Sequence, residues 1–266
     1  ISALGNEAVV SDHRARLRDF WWKPIAAAAS LALVFGAFAL QFPEIFSSHR
    51  ATVQSARFST EVGGYKLVRL PDGSKVELNT GTSLRAELGE GERRVWLERG
   101  EAYFEVAKAA GSPFVVQAGS RTITVLGTKF SIRRKENTVT VSVSEGRVRI
   151  EDARSQARLR SATIAAGDIA VAEGSATLLA NSAERVEEQL AWRDGMLVFD
   201  GTTLEAAAAE FNRYNGKQIV IADAATGSIR IGGRFEAKNI EAFTRLLGNA
   251  YNLKVESGAG KISISS

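Results

Sequence analysis

TVTVSVSEGRVRI, Thr138–Ile150, is the stretch that decides the fold class of most of this chain. Val139, Val141 and Val143 alternate with Thr138, Thr140 and Ser142 before the turn signal Glu145–Gly146. A period of two puts successive side chains on opposite faces, the mark of a strand with one buried side. The same alternation sets Val76 and Leu78 against Lys75, Glu77 and Asn79, and Val95 and Leu97 against Arg94, Trp96 and Glu98. Further turn signals fall at Asp72–Gly73, Gly89–Glu90–Gly91, Arg99–Gly100, Ala166–Gly167–Asp168 and Glu173–Gly174. Asp–Gly suits a tight hairpin because glycine tolerates positive φ. Short strands separated by turns at about 8–12 residues predict an all-β sandwich, roll or solenoid over residues 52–180.

After Trp192 the pattern changes. Residues 181–194 read as a polar, partly helical linker, and residues 195–266 as a small α+β domain of two β-α-β units. Strands are predicted at Met196–Asp200, Gln218–Ala222 and Ser228–Phe235, with a closing hairpin of Leu253–Glu256 and Lys261–Ser265. Leu204, Ala207, Ala208 and Phe211 share one face of a helix over Thr203–Tyr214, with Thr203 as its N-cap. Asn239 caps a second helix, Ile240–Ala250, whose stripe is Ile240, Phe243, Leu246 and Leu247.

At the other end, Ile25–Phe42 reads IAAAASLALVFGAFALQF, and no charge occurs between Lys23 and Glu44. A bilayer core takes roughly 20 such residues as a helix. Residues 24–43 are therefore read as a single transmembrane helix. Arg14, Arg16, Arg18 and Lys23 precede it with Phe20, Trp21 and Trp22 at the boundary, which orients the N-terminus to the cytoplasm and the bulk of the chain outward. A cleaved signal peptide is the rival reading. Its apolar core would be about 7–15 residues, shorter than this run, and Gln41–Phe42–Pro43 is not a small-residue cleavage site. A buried soluble helix is the other alternative.

Composition narrows the function. There are 0 cysteines, which removes disulfides, thiolate metal sites and a cysteine nucleophile. The 2 histidines, His13 and His49, flank the apolar run, so neither a histidine metal site nor a Ser-His-Asp triad is expected. The net charge of +4 is spread along the chain. The basic groups Arg133–Arg134–Lys135 and Arg154, Arg158 and Arg160 lack stacked aromatics and read as solvated strand faces, with no direct nucleic-acid contact expected. No phosphate loop or dinucleotide fingerprint is found, and no cofactor is expected.

Several strings together carry a resemblance: LPDGSKVELNTGT (Leu70–Thr82), RRVWLERGEAYFEV (Arg93–Val106), PFVVQAGSRTITVLGTKFSI (Pro113–Ile132), VSVSEGRVRI (Val141–Ile150) and LAWRDGMLVFDGTTLEAAAAEFNRYN (Leu190–Asn215). In this order, after an apolar run, they resemble the FecR family of sigma-factor regulators of Gram-negative bacteria. The C-terminal part, with IRIGGRF (Ile229–Phe235), resembles the short signalling fold of secretins and TonB-linked receptors. The resemblance implies a single-pass inner-membrane protein with periplasmic C-terminal domains. Its partners would be the periplasmic signalling domain of an outer-membrane TonB-dependent transducer, a cytoplasmic extracytoplasmic-function sigma factor, membrane and periplasmic proteases, and the lipid bilayer. The implied output is transcription of nutrient-uptake genes, iron chelates foremost. The family carries a larger cytoplasmic helical region than residues 1–23, which are read as the end of a truncated sigma-binding region.

Two sets of residues are candidates for function. The family resemblance marks Gly127–Thr128 as a self-cleavage pair, in which the threonine hydroxyl attacks the preceding carbonyl; a glycine bulge between the strands Ile123–Leu126 and Lys129–Ile132 is the structural alternative. Sheet edges at Ile229–Phe235 and Lys261–Ser265, with Ile229, Ile231, Arg234, Phe235, Ile262 and Ile264, are candidate docking sites for strand addition. Glu101 and Glu105 read as a solvated strand face beside Tyr103, and Arg213 as a cation at a helix end. Trp192, Phe199 and Tyr214 are expected at the seam between the two folded parts. The chain is expected to be a regulator and not an enzyme, apart from self-cleavage. The alternatives are a self-processing periplasmic membrane protein and a secretion-system component with a secretin-like domain.

Overall fold

The computed structural model describes residues 54–89, 92–109, 111–152, 161–174 and 176–266. Residues 1–23, the run 24–43 and the cluster Arg154, Arg158 and Arg160 lie outside them. Among the described residues no helix is long and apolar enough to cross a membrane.

Thirteen strands form a two-layered β-sandwich. One layer runs β1 (Gln54–Ser59), β4 (Ser83–Gly89), β5 (Glu92–Glu105), β6 (Phe114–Ala118), β7 (Arg121–Val125), β10 (Arg147–Asp152), β11 (Ser161–Ala165). The other runs β2 (Lys66–Arg69), β3 (Lys75–Leu78), β5, β8 (Lys129–Lys135), β9 (Thr138–Glu145), β12 (Asp168–Glu173), β13 (Ala176–Asn181). Strand β5 belongs to both. Its first half pairs with β4 and β6, and its second half with β3 and β8. The bend falls at Gly100, whose φ is +87°. A Cβ there would lie 2.6 Å from Thr82 Cα, so only glycine fits the corner. The alternation read from sequence now has a direction. Leu84, Val95, Leu97, Val116, Ile123 and Ile150 of one layer meet Val76, Leu78, Phe104, Phe130, Ile132 and Val141 of the other in one dry core. Phe104 stacks on Phe130 with ring centroids 5.1 Å apart.

The bulge that was the structural alternative at Gly127 is not what forms. Strands β7 and β8 lie in different layers, so Gly127–Thr128 is a crossover between layers and not an irregularity within one ladder.

The C-terminal part begins with helix α1 (Ala183–Leu190) and a 3-10 turn (Ala191–Asp194). It continues through β14 (Met196–Thr203), α2 (Leu204–Tyr214), β15 (Gln218–Ile221), α3 (Ala224–Ser228), β16 (Arg230–Glu236), α4 (Ile240–Tyr251), β17 (Lys254–Ser257) and β18 (Lys261–Ser265). Thr203 Oγ1 accepts from Ala206 N at 3.3 Å, and Asn239 Oδ1 from Ala242 N at 3.1 Å, so both expected N-caps are made. The strands do not pair as two β-α-β units. Strand β14 pairs with β16, while β15, β18 and β17 form a separate sheet with β18 in the middle. Helices α2 and α4 pack on each other through Phe211 and Phe243, whose rings stack at 4.2 Å. Leu197, Phe199 and Ile231 of one sheet and Ile219, Ile262 and Ile264 of the other fill the same core. Leu246 of the expected α4 stripe faces outward and is 42% exposed, because Phe243 and Leu247 already complete the contact with α2 and the sheets. Residues from Thr52 to Ser266 form one compact unit.

Candidate functional site

At the crossover, Gly127 has φ +153°, and a Cβ on it would lie 2.9 Å from Lys108 Cα. No other side chain fits beside the Lys108 backbone. Thr128 is only 4% exposed. Its Oγ1 donates to the Arg147 carbonyl at 2.9 Å, and its own carbonyl accepts from Val106 N at 3.0 Å. Gly146 sits over this peptide, since a Cβ there would come 3.0 Å from Thr128 Oγ1 and 3.3 Å from the Gly127 carbonyl oxygen. A cleft of about 230 Å³ opens on it, lined by Lys75, Glu105, Lys108, Lys129 and Glu145 among others. The carboxylates there are paired: Glu145 with Lys129 at 2.8 Å and Glu105 with Lys75 at 3.2 Å. The hydroxyl proton of Thr128 is thus directed at a carbonyl, which cannot take it. Gly127 and Thr128 are brought together as expected, with steric constraint at the glycine and no base bonded to the hydroxyl in this conformation.

The candidate edges divide. Strand β16 pairs on one side only, with β14, and leaves its other edge open. On it Arg234 is exposed, Ile229 just before the strand and Phe235 are half-buried, and Ile231 is buried. Strand β18 is not an edge. It is hydrogen-bonded on both sides, parallel to β15 and antiparallel to β17, and Ile262 and Ile264 are buried in the C-terminal core. That second docking site is therefore corrected: the parallel partner β15 takes up the ladder that a hairpin alone would have left open.

The largest departure from the sequence reading is the outer face of the layer containing β3, β5 and β8. Its polar residues are covered by the C-terminal part. Glu101 is 4% and Tyr103 3% exposed. Glu101 Oε2 accepts from Arg213 Nη2 at 2.8 Å and from Asn79 Nδ2 at 2.9 Å. Asn79 Nδ2 also donates to the Tyr214 hydroxyl at 2.8 Å. Arg133 donates through Nη2 and Nη1 to the two oxygens of Glu210, at 2.6 and 3.2 Å, and Arg213 bonds Glu210 as well. A second pair lies alongside. Arg193 grips Glu77 at 2.6 and 3.1 Å and stacks on the Tyr103 ring at 3.7 Å. Such forked pairs hold one orientation between two bodies. Burial pushes the Tyr214 hydroxyl well above its ordinary pKa, and the Glu101 charge adds to this. For Glu210 burial pulls upward, but Arg213 and Arg133 prevail and hold the carboxyl below its usual range.

Trp192 and Tyr214 lie at this seam as expected, with the Trp192 ring 6.5 Å from that of Tyr65. Phe199 belongs to the C-terminal core, against Phe211, Phe235 and Phe243. Beside the seam a cleft of about 430 Å³ is lined by Arg133, Lys135, Glu188, Trp192, Phe199 and Glu210, among others. There Glu188 is raised above its ordinary pKa by burial and by the nearby Asp200 and Glu184. Sequence reading missed Glu77, Asn79, Glu101, Glu210 and Arg213 as a group. Their partners are up to 135 residues apart, and no local spacing records that.

Residues 56–149 match the family model described as FecR protein. No curated protein sequence matches the chain. Two crystal structures of candidate anti-sigma factors from Parabacteroides distasonis ATCC 8503 superpose on it. One has a TM-score of 0.68 at 25% identity, over 80% of this chain and 99% of the other. The second has a TM-score of 0.67 at 25% identity, over 79% and 98%. Likeness thus spans both the β-sandwich and the C-terminal part, while the match to the FecR model falls on strands β1 to β10.

Proposed function

We propose that this chain regulates a sigma factor. In that role it is a single-pass inner-membrane protein that relays a signal from an outer-membrane TonB-dependent transducer to a cytoplasmic extracytoplasmic-function sigma factor, and so controls nutrient-uptake genes. The observation that carries the reading is the FecR match over residues 56–149, together with the two candidate anti-sigma factors that share the fold of both parts. The apolar run 24–43 supplies the tether, and residues 1–23 lead to the cytoplasmic end. The open edge of β16, with Arg234 exposed, offers backbone donors and acceptors to a strand of the transducer's signalling domain. The seam fixes that edge to the sandwich, so a load at β16 reaches the sandwich without loss in a loose linker. The test is calorimetry of the unit Thr52–Ser266 with signalling domains of transducers from the same organism, alongside a sigma-dependent reporter in cells lacking the chain. Selective binding of one domain and a changed reporter output are expected. No binding to any domain would remove the transducer, and an unchanged reporter would remove the sigma factor.

Self-processing is a second reading, favoured by the constrained Gly127 and the cleft on the Gly127–Thr128 peptide. Thr128 Oγ would attack the Gly127 carbonyl carbon, the C–N bond would break, and an ester with a free Thr128 amine would form. Water would then release the Gly127 carboxylate and restore the hydroxyl. Intact-mass analysis of purified chain would give two fragments divided between Gly127 and Thr128, and one mass for Thr128→Ala. A single mass for the unaltered chain sinks this reading.

A further inference from the structure

Strand β14 pairs with β16 on one side only. Ala237 N donates to the Gly195 carbonyl at 2.9 Å, which makes Gly195 and Ala237 a hydrogen-bonded pair. The antiparallel alternation then commits Leu197 and Phe199 to β16, and turns the N–H and C=O of Met196 and Val198 the other way. No hydrogen bond occupies those groups among the described residues. Met196, Leu197, Val198 and Phe199 all line the cleft of about 430 Å³ beside the seam. Successive residues of a strand point to opposite faces, so a wall made of four in a row is the edge of β14. An open edge is a template for a further strand.

The sandwich supplies another wall, with Thr138 and Thr140 of β9 and Arg133 and Lys135 of β8. Arg133 is held by Glu210. Lys135 is exposed, lies opposite Thr138 in the ladder, and has no ion pair among the described residues. Four residues further along β9, about 13 Å at 3.3 Å per residue, the Ser142 hydroxyl bonds Gln189 of α1. There the charge reverses. Glu188 lines the cleft, and burial together with Asp200 and Glu184 raises its pKa. None of these three carboxylates is in an ion pair among the described residues. The cleft is thus bordered by unused backbone groups and is of opposite sign at its two ends. Trp192 also lines it, 6% exposed, with Nε1 buried and without a hydrogen-bond partner among the described residues. Buried donors are nearly always paired, so this one is an acceptor short.

We infer that this cleft is a docking groove for an extended peptide segment of a partner protein, about five residues long, which adds as a strand to the free edge of β14 with a basic side chain at Glu188 and an acidic one at Lys135. Backbone bonds to Met196 and Val198 supply the affinity, and the two charges set the direction. A compact ligand would leave one charged end or the β14 edge unmatched. A groove walled on both sides takes a lone extended segment more readily than the edge of another folded sheet. Since β14 belongs to the C-terminal part, and Lys135, Thr138 and Thr140 to the sandwich, the occupant bridges the two. This edge is not that of β16, and the inference does not rest on what β16 binds.

The probes are libraries of acetylated, amidated pentapeptides of the forms Lys-x-x-x-Glu, Glu-x-x-x-Lys and Gln-x-x-x-Gln, with Val, Thr, Ala and Ser at x. They are passed over the immobilised full chain in detergent, and the retained peptides are measured by mass spectrometry. One of the two charged libraries should be enriched about ten-fold or more over the neutral one, which corresponds to about 1.4 kcal/mol. Methylating alternate backbone nitrogens of the best peptide should abolish its retention. Glu188→Gln with Lys135→Gln should bring the charged library down to the neutral level at an unchanged melting temperature, while Arg234→Glu on β16 should leave it enriched. No enrichment of either charged library would overturn the inference. So would enrichment that survives the paired substitution, or that is lost with Arg234→Glu, since either places the peptide on another surface.

Discussion

The sandwich core is filled mainly by alternating Val, Leu and Ile along strands that are mostly neighbours in sequence, with Phe104, Phe114 and Phe130 as its aromatic group. The C-terminal core turns on Phe199, Phe211, Phe235 and Phe243, brought from two strands and two helices. The first spreads its stability over many small contributions. The second concentrates it in rings that touch one another, so the loss of one ring reaches all the elements at once. The two cores meet across a polar seam, which means that the join between them is specified by geometry more than by hydrophobic burial.

The largest effects should therefore come from the C-terminal rings. Phe211 is fully buried and stacked on Phe243. Phe211→Ala is expected to cost about 3–5 kcal/mol, at the upper end because the ring touches Phe199, Phe235 and Phe243, with Phe104→Ala in the sandwich, whose ring touches Phe114 and Phe130, at the lower end. Scanning calorimetry should then resolve an early transition for the C-terminal part and a later one for the sandwich. A single transition shifted as a whole would break the comparison and make the two cores one cooperative unit.

The seam comes next. Glu101→Ala takes one of two carboxylates from half-buried Arg213, which keeps Glu210, and removes an acceptor from Asn79, so a loss of about 1–3 kcal/mol is expected. Replacing both, Glu101→Met with Arg213→Met, should recover most of that loss in urea titrations. If the double variant is as unstable as the single one, the pair is not acting as a unit. The corner of β5 should matter less. With φ at +87° and Thr82 Cα at 2.6 Å from a added Cβ, Gly100→Ala is expected to cost more than about 1 kcal/mol, read as a lower urea midpoint. An unchanged midpoint would mean that β5 can bend elsewhere.

The sandwich strands were legible because their burial has period two, and that signal is local. Val76, Leu78, Val95, Leu97, Val139 and Val141 all face the core. The caps Thr203 and Asn239 were legible for the same reason, since a cap is made within three residues. What the sequence did not disclose is what covers each polar face. Glu101 and Tyr103 alternate like solvated residues, yet they are buried because the cover is itself polar, supplied by Arg213, Tyr214 and Arg193. The pairing of β18 was hidden similarly: the nearby hairpin partner β17 is visible, but the parallel partner β15 begins 43 residues earlier (Gln218 against Lys261). The bulge alternative at Gly127 could not be told apart locally, because nothing nearby in sequence separates a kink within a ladder from a passage between layers.

The smallest effect, and the sharpest test of where the polar seam differs from the two dry cores, is the pH dependence of stability. Burial pulls Glu210 upward, but Arg213 and Arg133 outweigh it and hold the carboxyl below its ordinary value of 4.5 in the folded chain. A depressed folded pKa contributes stability that is present above the unfolded value and lost as pH falls through the folded one. Tyr214 is raised by burial above its ordinary value of 10.0, so its contribution is complete below that value and lost as pH rises through the folded pKa. Urea midpoints should thus be level at neutral pH and decline on both sides. Arg133→Gln should shrink the acid decline, because the pair that depresses Glu210 is weakened. Tyr214→Phe should lower the midpoint at neutral pH, through loss of the Asn79 contact, and shrink the alkaline decline. Declines of unaltered size in both variants would place the pH sensitivity outside the seam, and would leave its charges as orientation alone.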